Sequence, residues 1–246
     1  NRYRRRGYEG VILTGGEPTL YGPLPELIAY AARRGVPCRL ITNAQRTADP
    51  AYLDGLMRAG LRHIHVTVNS HRRAVQAFLT GNPDSLSNIV RTLALLRRTH
   101  ADVDVNQTIL AQNADHIHLT ARWLCERFPT IHHFSWTCLD TLTERVAEHP
   151  ETIPTLKRSK RSLLLAMRYL ERTGRTFRVE KVPLCYMGGF GHCSTETRAI
   201  VKGEERSINF LDRRGYYRER LWRYGKADAC RECTLSPICA GLWDMG

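Results

Sequence analysis

The feature that most constrains this chain is a rhythm: short apolar runs alternate with longer amphipathic ones over its first 140 residues. Val11–Thr14, Cys38–Ile41, His63–Val68, Val103–Thr108 and His132–Ser135 have strand length and β-forming content. Between them Leu24–Arg34, Pro50–Ala59, Leu86–Thr99 and Ala114–Arg127 carry helical periodicity. Gly35 follows the first helix, Asp49-Pro50 opens the second and Gly60 closes it. A repeated strand–helix unit predicts an α/β fold, a parallel sheet covered by helices.

The rhythm breaks at "DTLTERVAEHPETIP" (140–154). A helix over Thr155–Thr173 then leads into "FRVEKVPLC", and the tail reads as polar strands, Thr197–Val201 and Arg206–Phe210, before a cysteine cluster. This predicts a main domain over 1–175 and a smaller module over 176–246, within the size one chain of 246 residues can support. No apolar run has the length to cross a bilayer, and "NRYRRRGYEG" lacks the apolar stretch of a secretion signal, so the expected location is cytoplasmic, with no membrane partner. The net charge of +13 comes from basic residues dispersed through helices such as "LKRSKRSLLLAMRYLERTGR", not interleaved with aromatics on one face. It favours anionic partners and leaves nucleic acid open, without arguing for a dedicated nucleic-acid domain.

In a parallel α/β sheet, sites form at the carboxyl ends of the strands. The stretch "VILTGGEP" puts Gly15 and Gly16 at such an end, where two glycines let a ligand approach the backbone closely. Glu17 adds a carboxylate for a cationic group, and Pro18 fixes the exit. No Gly-Lys-Ser/Thr follows the glycines, which excludes a phosphate loop.

"GVILTGGEPTLYG" resembles the second-strand motif of radical S-adenosylmethionine (SAM) enzymes. The resemblance implies that the backbone around Gly15 and Gly16, with Glu17, receives the amino group of the methionine moiety of SAM. "CRLITNAQR" is similar to the family's third strand, with Thr42-Asn43 facing the site. Weaker similarity in "HIHVTVNS" and "VDVNQTILAQN" makes Asn69, Ser70, Asn106 and Thr108 further candidates for the sugar, the carboxylate or the substrate. The implied fold is a partial (β/α)6 TIM-like barrel with its first strand missing from these residues, plus a small Cys-rich C-terminal module. The family's cluster loop, Cys-x3-Cys-x2-Cys after the first strand, occurs nowhere here. "NRYRRRGYEG" reads as the end of the helix before the glycine loop, so the cluster cysteines are expected upstream of residue 1.

Eight cysteines without a secretion signal point to metal, catalysis or burial. Cys38, Cys125 and Cys138 lie in apolar segments and read as core. "ADACRECTLSPICAG" holds Cys230, Cys233 and Cys239 in a polar, Pro-containing turn, a spacing that can converge on one metal or cluster. Cys185 is the best fourth ligand, with Cys193 or His192 behind it. The spacing resembles the start of the Cys-x2-Cys-x5-Cys-x3-Cys segment of the SPASM/twitch-like auxiliary-cluster domains in this family, but position 243, where the last cysteine would stand, is Trp. One auxiliary [4Fe–4S] cluster on Cys185, Cys230, Cys233 and Cys239 is therefore expected, with zinc as the alternative and Cys193 left over.

By this resemblance the chain is an oxidoreductase that cleaves SAM reductively at a [4Fe–4S] cluster, forming a 5′-deoxyadenosyl radical that abstracts hydrogen from a peptide or small metabolite, in an oxidative or crosslinking modification. It would draw electrons from a donor such as flavodoxin or ferredoxin. A noncatalytic metal-binding scaffold with a degenerate SAM domain is the alternative. His132, His133, Trp136 and Asp140 are candidates to face substrate or to pack at a strand edge, His116 and His118 read as surface or capping residues, and Met187 and Phe190 as channel-lining ones.

Overall fold

The computed structural model describes residues 10–139, 146, 148–210, 215–219 and 224–242. Asp140 and the expected helix end over residues 1–9 lie outside them. Six strands, β1 (Val11–Leu13), β2 (Cys38–Thr42), β3 (His63–Thr67), β4 (Asp102–Ile109), β5 (Ile131–Cys138) and β6 (Thr176–Glu180), form one sheet in chain order. The parallel register runs Val11 to Cys38, Leu40 to Ile64, and His65 to Asp104. Parallel neighbours in chain order require a crossover between each pair. Helices α1 (Leu24–Arg33), α2 (Pro50–Arg58), α3 (Arg73–Thr80), α4 (Ser85–Leu96) and α5 (Ile117–Arg127) lie between the strands in sequence.

Backbone contacts divide the chain into two compact units, Asn1–Thr108 with Leu119–Ser135, and Ile109–His118 with Trp136–Gly246. In the first unit alternation splits β2–β4 into two faces. Leu40, Ile64, Val66, Val103 and Val105 are buried on one face. Each such side chain contributes about 1.5–3 kcal/mol on burial. The other face carries Arg39, His63, His65, Asp104 and Asn106. The Asp49 side chain caps α2 by accepting a hydrogen bond from the Ala51 N–H, as the Asp-Pro signal predicts, and a cap of this kind is worth about 1 kcal/mol.

The second unit is built on α6 (Leu156–Arg172), which buries Leu163, Ala166, Met167 and Leu170 along one stripe. Trp136, fully buried, lies 5.8 Å from the Phe177 ring, which meets Phe190 edge-on at 5.6 Å. The tail departs from the sequence reading at one element: residues 195–202 form helix α7 (Thr195–Lys202), not a strand over Thr197–Val201. The Ser194 hydroxyl accepts from the Thr197 N–H and Gly203 ends the helix in the left-handed conformation, and these two caps outweigh the β-branched content of Thr197, Ile200 and Val201. The other expected tail strand exists, as β7 (Arg206–Phe210), paired antiparallel with β8 (Gly215–Glu219). Helix α3, ended by a left-handed Gly81, carries no prediction from the sequence. Among the described residues no helix is long and apolar enough to cross a membrane.

Candidate functional site

β1 ends at Leu13, and the loop beyond it turns through Gly15 at φ 96° and Gly16 at φ 24°. A Cβ placed on either glycine would meet nothing within 4 Å, so the loop backbone is open to a ligand on that side. Positive φ reserves both positions for glycine. Glu17 then caps the 3-10 turn at Pro18–Leu20. Its Oε1 accepts from the Thr19 N–H at 3.1 Å, the Thr19 hydroxyl at 2.7 Å and the Thr42 hydroxyl at 2.7 Å. Its Oε2 accepts from the Asn43 N–H at 2.7 Å. A carboxylate that collects four donors makes stronger bonds than a neutral acceptor would, and here it ties the glycine loop to the carboxyl end of β2. Oε2 receives one of these donors and retains capacity for a second, such as an ammonium group.

A second hydrogen-bonded patch braces the ends of β3 and β4. The buried Gln76 side chain of α3 accepts from the N–H groups of Asn69 and Ser70, at 3.0 and 2.9 Å, and donates to the Ser85 hydroxyl at 3.0 Å. Ser85 also receives Gln45 Nε2, and Gln45 Nε2 bonds the Asn43 carbonyl. Gln107 donates to the Asn69 carbonyl at 2.9 Å, and the Thr108 N–H donates to Asn69 Oδ1 at 3.3 Å. The loop, Thr42-Asn43, Asn69-Ser70 and Thr108 therefore belong to one network across four strand ends. Asn106 joins through its backbone, its carbonyl accepting from the Val68 N–H at 2.9 Å. Thr42 is buried and spent on Glu17 and the Ala44 N–H. It positions the carboxylate instead of facing a ligand, whereas Asn43 is exposed.

Sequence reasoning missed Gln45, Gln76, Ser85 and Gln107. A buried polar side chain needs partners, so a glutamine in the short helix after β3 was the available signal for Gln76.

In the second unit, the cysteine segment is folded back by backbone bonds: Tyr224 N–H to the Ala240 carbonyl at 2.7 Å, and Leu242 N–H to the Gly225 carbonyl at 2.8 Å. Gly241 makes this possible, since a Cβ there would lie 2.3 Å from the Gly225 oxygen. Lys226 Nζ bonds the Cys239 carbonyl at 2.7 Å and the Ser236 carbonyl at 3.2 Å. Cys239 is buried, Cys230 and Cys233 half-buried and Cys185 exposed. Burial pushes the Cys185 thiol up, and the nearby Cys239, Cys230 and Cys233 push it the same way. Cys193 is also pushed up by burial, but its charged neighbours are Arg178 and Glu171.

Other expectations are corrected. Met187 and Phe190 are buried in the core, not along an open channel, because Phe190 completes the aromatic stack on Phe177. His116 is buried, not a surface residue, with Nδ1 2.6 Å from Asp115 Oδ1. His118 is half-buried on α5, 2.9 Å from the Ser162 hydroxyl. Trp136 packs in the core, while His132 is exposed and His133 half-buried. Cys38, Cys125 and Cys138 are buried as expected.

The family model of the radical SAM superfamily matches residues 1–124. Among curated proteins, PqqA peptide cyclase of Xanthomonas campestris pv. campestris (strain B100) is 32% identical over 162 residues, 61% of this chain and 42% of its own length. AdoMet-dependent heme synthase of Nitratidesulfovibrio vulgaris is 26% identical over 121 residues, 49% of this chain and 32% of its own. The chain spans well under half the length of these curated relatives. Of solved structures, native anSMEcpe with bound AdoMet and the Kp18Cys peptide superposes with a TM-score of 0.63 at 13% identity, over 94% of this chain and 74% of that one. Streptococcus suis SuiB bound to S-adenosylmethionine gives 0.61 at 15% identity, over 95% and 61%. At these identities the structures show a shared α/β fold. The family match covers the glycine loop, Glu17 and the β2 and β3 ends, and on that basis the chain belongs to the radical SAM superfamily.

Proposed function

We propose that this chain is the SAM-binding and auxiliary-cluster part of a radical SAM enzyme that modifies a peptide oxidatively or by crosslinking. The observation that carries the reading is the Glu17 carboxylate, clamped by Thr19, Thr42 and Asn43 beside two glycines whose backbone is open. That arrangement suits the amino group of an amino-acid moiety: Glu17 Oε2 and the open backbone around Gly15 and Gly16 take the ammonium. The Asn69, Ser70, Asn106 and Thr108 strand ends then face the sugar, the carboxylate or the substrate. The family implies SAM and a [4Fe–4S] cluster as cofactors; reductive cleavage of SAM supplies a 5′-deoxyadenosyl radical that removes a hydrogen atom from the substrate. This chain's residues bind and orient the cofactor and need no proton transfer to do so.

The functional division falls near residue 175, with SAM-holding strand ends before it and cluster cysteines after it. Cys185, Cys230, Cys233 and Cys239 are the ligands proposed for one auxiliary [4Fe–4S] cluster, supported by the electrostatic reach of the other three cysteines to Cys185. A peptide is the favoured substrate because the curated relative named above is a peptide cyclase and the neighbouring anSMEcpe structure holds a peptide. Electrons would come from a flavodoxin or ferredoxin in the cytoplasm.

The test is to purify the whole protein anaerobically, reconstitute it with iron and sulfide, and measure 5′-deoxyadenosine after adding SAM and a strong reductant, counting iron in the same sample. SAM cleavage with two cubanes supports both assignments. Cleavage with one cubane removes the auxiliary cluster or turns that site toward zinc, and no cleavage leaves a metal-binding scaffold.

A further inference from the structure

The polar face of the first unit holds a cluster that the SAM reading does not use. His63 and His65 stand two residues apart on β3, so both imidazoles project from one face, and the register puts Asp104 of β4 directly beside His65. Asp104 Oδ2 lies 2.6 Å from His63 Nε2 and 2.9 Å from His65 Nε2. The donor atoms of all three side chains lie within 4.8 Å of one another. His65 and Asp104 are buried and His63 is half-buried. Both Nε2 atoms thus converge on one carboxylate oxygen, and the His65 contact is short but poorly aligned for a hydrogen bond. A cation between His65 Nε2 and Asp104 would give that nitrogen a well-aligned partner.

We propose that His63, His65 and Asp104 form a site for one divalent transition metal, of the zinc class. Two imidazoles and a carboxylate are a ligand set that zinc accepts with one position left open. The site is separate from the SAM loops: His65 is four residues short of Asn69, about 13 Å along the strand at ~3.3 Å per residue. The metal would pin β3 to β4 below the strand ends that carry the SAM network.

Arg39 sets the condition for binding. Its Nε donates to His63 Nδ1 at 3.2 Å, so in the neutral ring the proton sits on Nε2 and is donated to Asp104. Metal ligation through His63 Nε2 requires that proton to move to Nδ1 and the guanidinium to turn away. Replacing Arg39 with glutamine removes the competing cation and offers an amide oxygen to the new Nδ1–H. Outer partners of this kind change metal affinity by roughly 10–100-fold.

The experiment loads cluster-reconstituted whole protein with zinc, counts the metal, and reads the zinc-edge X-ray absorption, which is blind to iron. The expected result is one zinc per chain on nitrogen and oxygen at about 2.0 Å with imidazole scattering. His65→Ala and Asp104→Asn should each lose that zinc, and Arg39→Gln should bind it about tenfold more tightly. Because the first two variants could unfold the sheet, Arg39→Gln and a melting curve of each variant accompany them. Zinc held only through sulfur, zinc on nitrogen and oxygen that survives both substitutions in folded protein, no bound zinc, or unchanged affinity in Arg39→Gln would each overturn the proposal.

Discussion

The strand ends of the first unit and the cysteine segment of the second reach a binding arrangement by opposite routes. At the strand ends, Glu17, Gln45, Gln76, Gln107 and Ser85 satisfy one another and the backbone, so the site is held in place by its own hydrogen bonds. In the cysteine segment the fold is held by backbone bonds around Gly225 and Gly241 and by the Lys226 ammonium, and the Cys185 thiol lies near three other cysteines without a network of its own to bind them. The first site is preorganised and should tolerate loss of its ligand. The second, if it holds the proposed cluster, should depend on that cluster for order.

The largest effect expected from this contrast is at Gly15. Gly15→Val forces a β-branched residue to φ 96° and puts a side chain into the open approach, so SAM cleavage should fall at least a hundredfold, read as 5′-deoxyadenosine per cluster. Next is Cys239→Ser, which should remove the iron of one cubane and lower the melting temperature, while the SAM-site cluster remains by Mössbauer or EPR spectroscopy. A third prediction separates bracing from binding. Gln76→Ala strips partners from Asn69, Ser70 and Ser85 and should destabilise the protein by about 1–3 kcal/mol in denaturant titration. If it instead leaves stability unchanged, the strand-end network is not preorganised.

The smallest effect is a pH dependence in the second unit. Burial pushes the Glu196 carboxyl up, against the opposing bond from the Lys181 N–H at 2.8 Å. A raised carboxyl favours the protonated form in the folded state, so its contribution is present at low pH and is lost as pH rises through the folded value. Glu196→Gln keeps an acceptor for the Lys181 N–H and removes the buried charge. It should melt higher than the parent at pH 8, the gap closing as pH falls toward the ordinary glutamate value of about 4.3.

The legible parts of the molecule were local. Gly15, Gly16 and Glu17 stand consecutively at a strand end, Thr42-Asn43 closes the next strand, and Cys230, Cys233 and Cys239 occupy ten residues. Period and spacing carry such features. Gln76 was not legible, because its partners lie six to nine residues away across a turn and its burial is a tertiary fact. The His63–Asp104 pairing spans 41 residues and needs the strand register before it has meaning. Thr197–Val201 reads as a strand from its residues alone, but Ser194 and Gly203, two caps visible in the sequence, make 195–202 a helix. The packing of Phe190 on Phe177 is likewise a tertiary contact that its own segment does not announce.

Glu17, clamped at the β1 and β2 ends, is the proposed seat of SAM. The most direct measurement is the dissociation constant for SAM of cluster-reconstituted Glu17→Gln against the parent, with the melting temperature of both. Loss of the carboxylate should weaken SAM at least tenfold, since a hydrogen bond to a charged group is worth about 1.5–3 kcal/mol. Equal affinity in a folded Glu17→Gln protein would contradict the account, and would leave Glu17 as a brace for the glycine loop and nothing more.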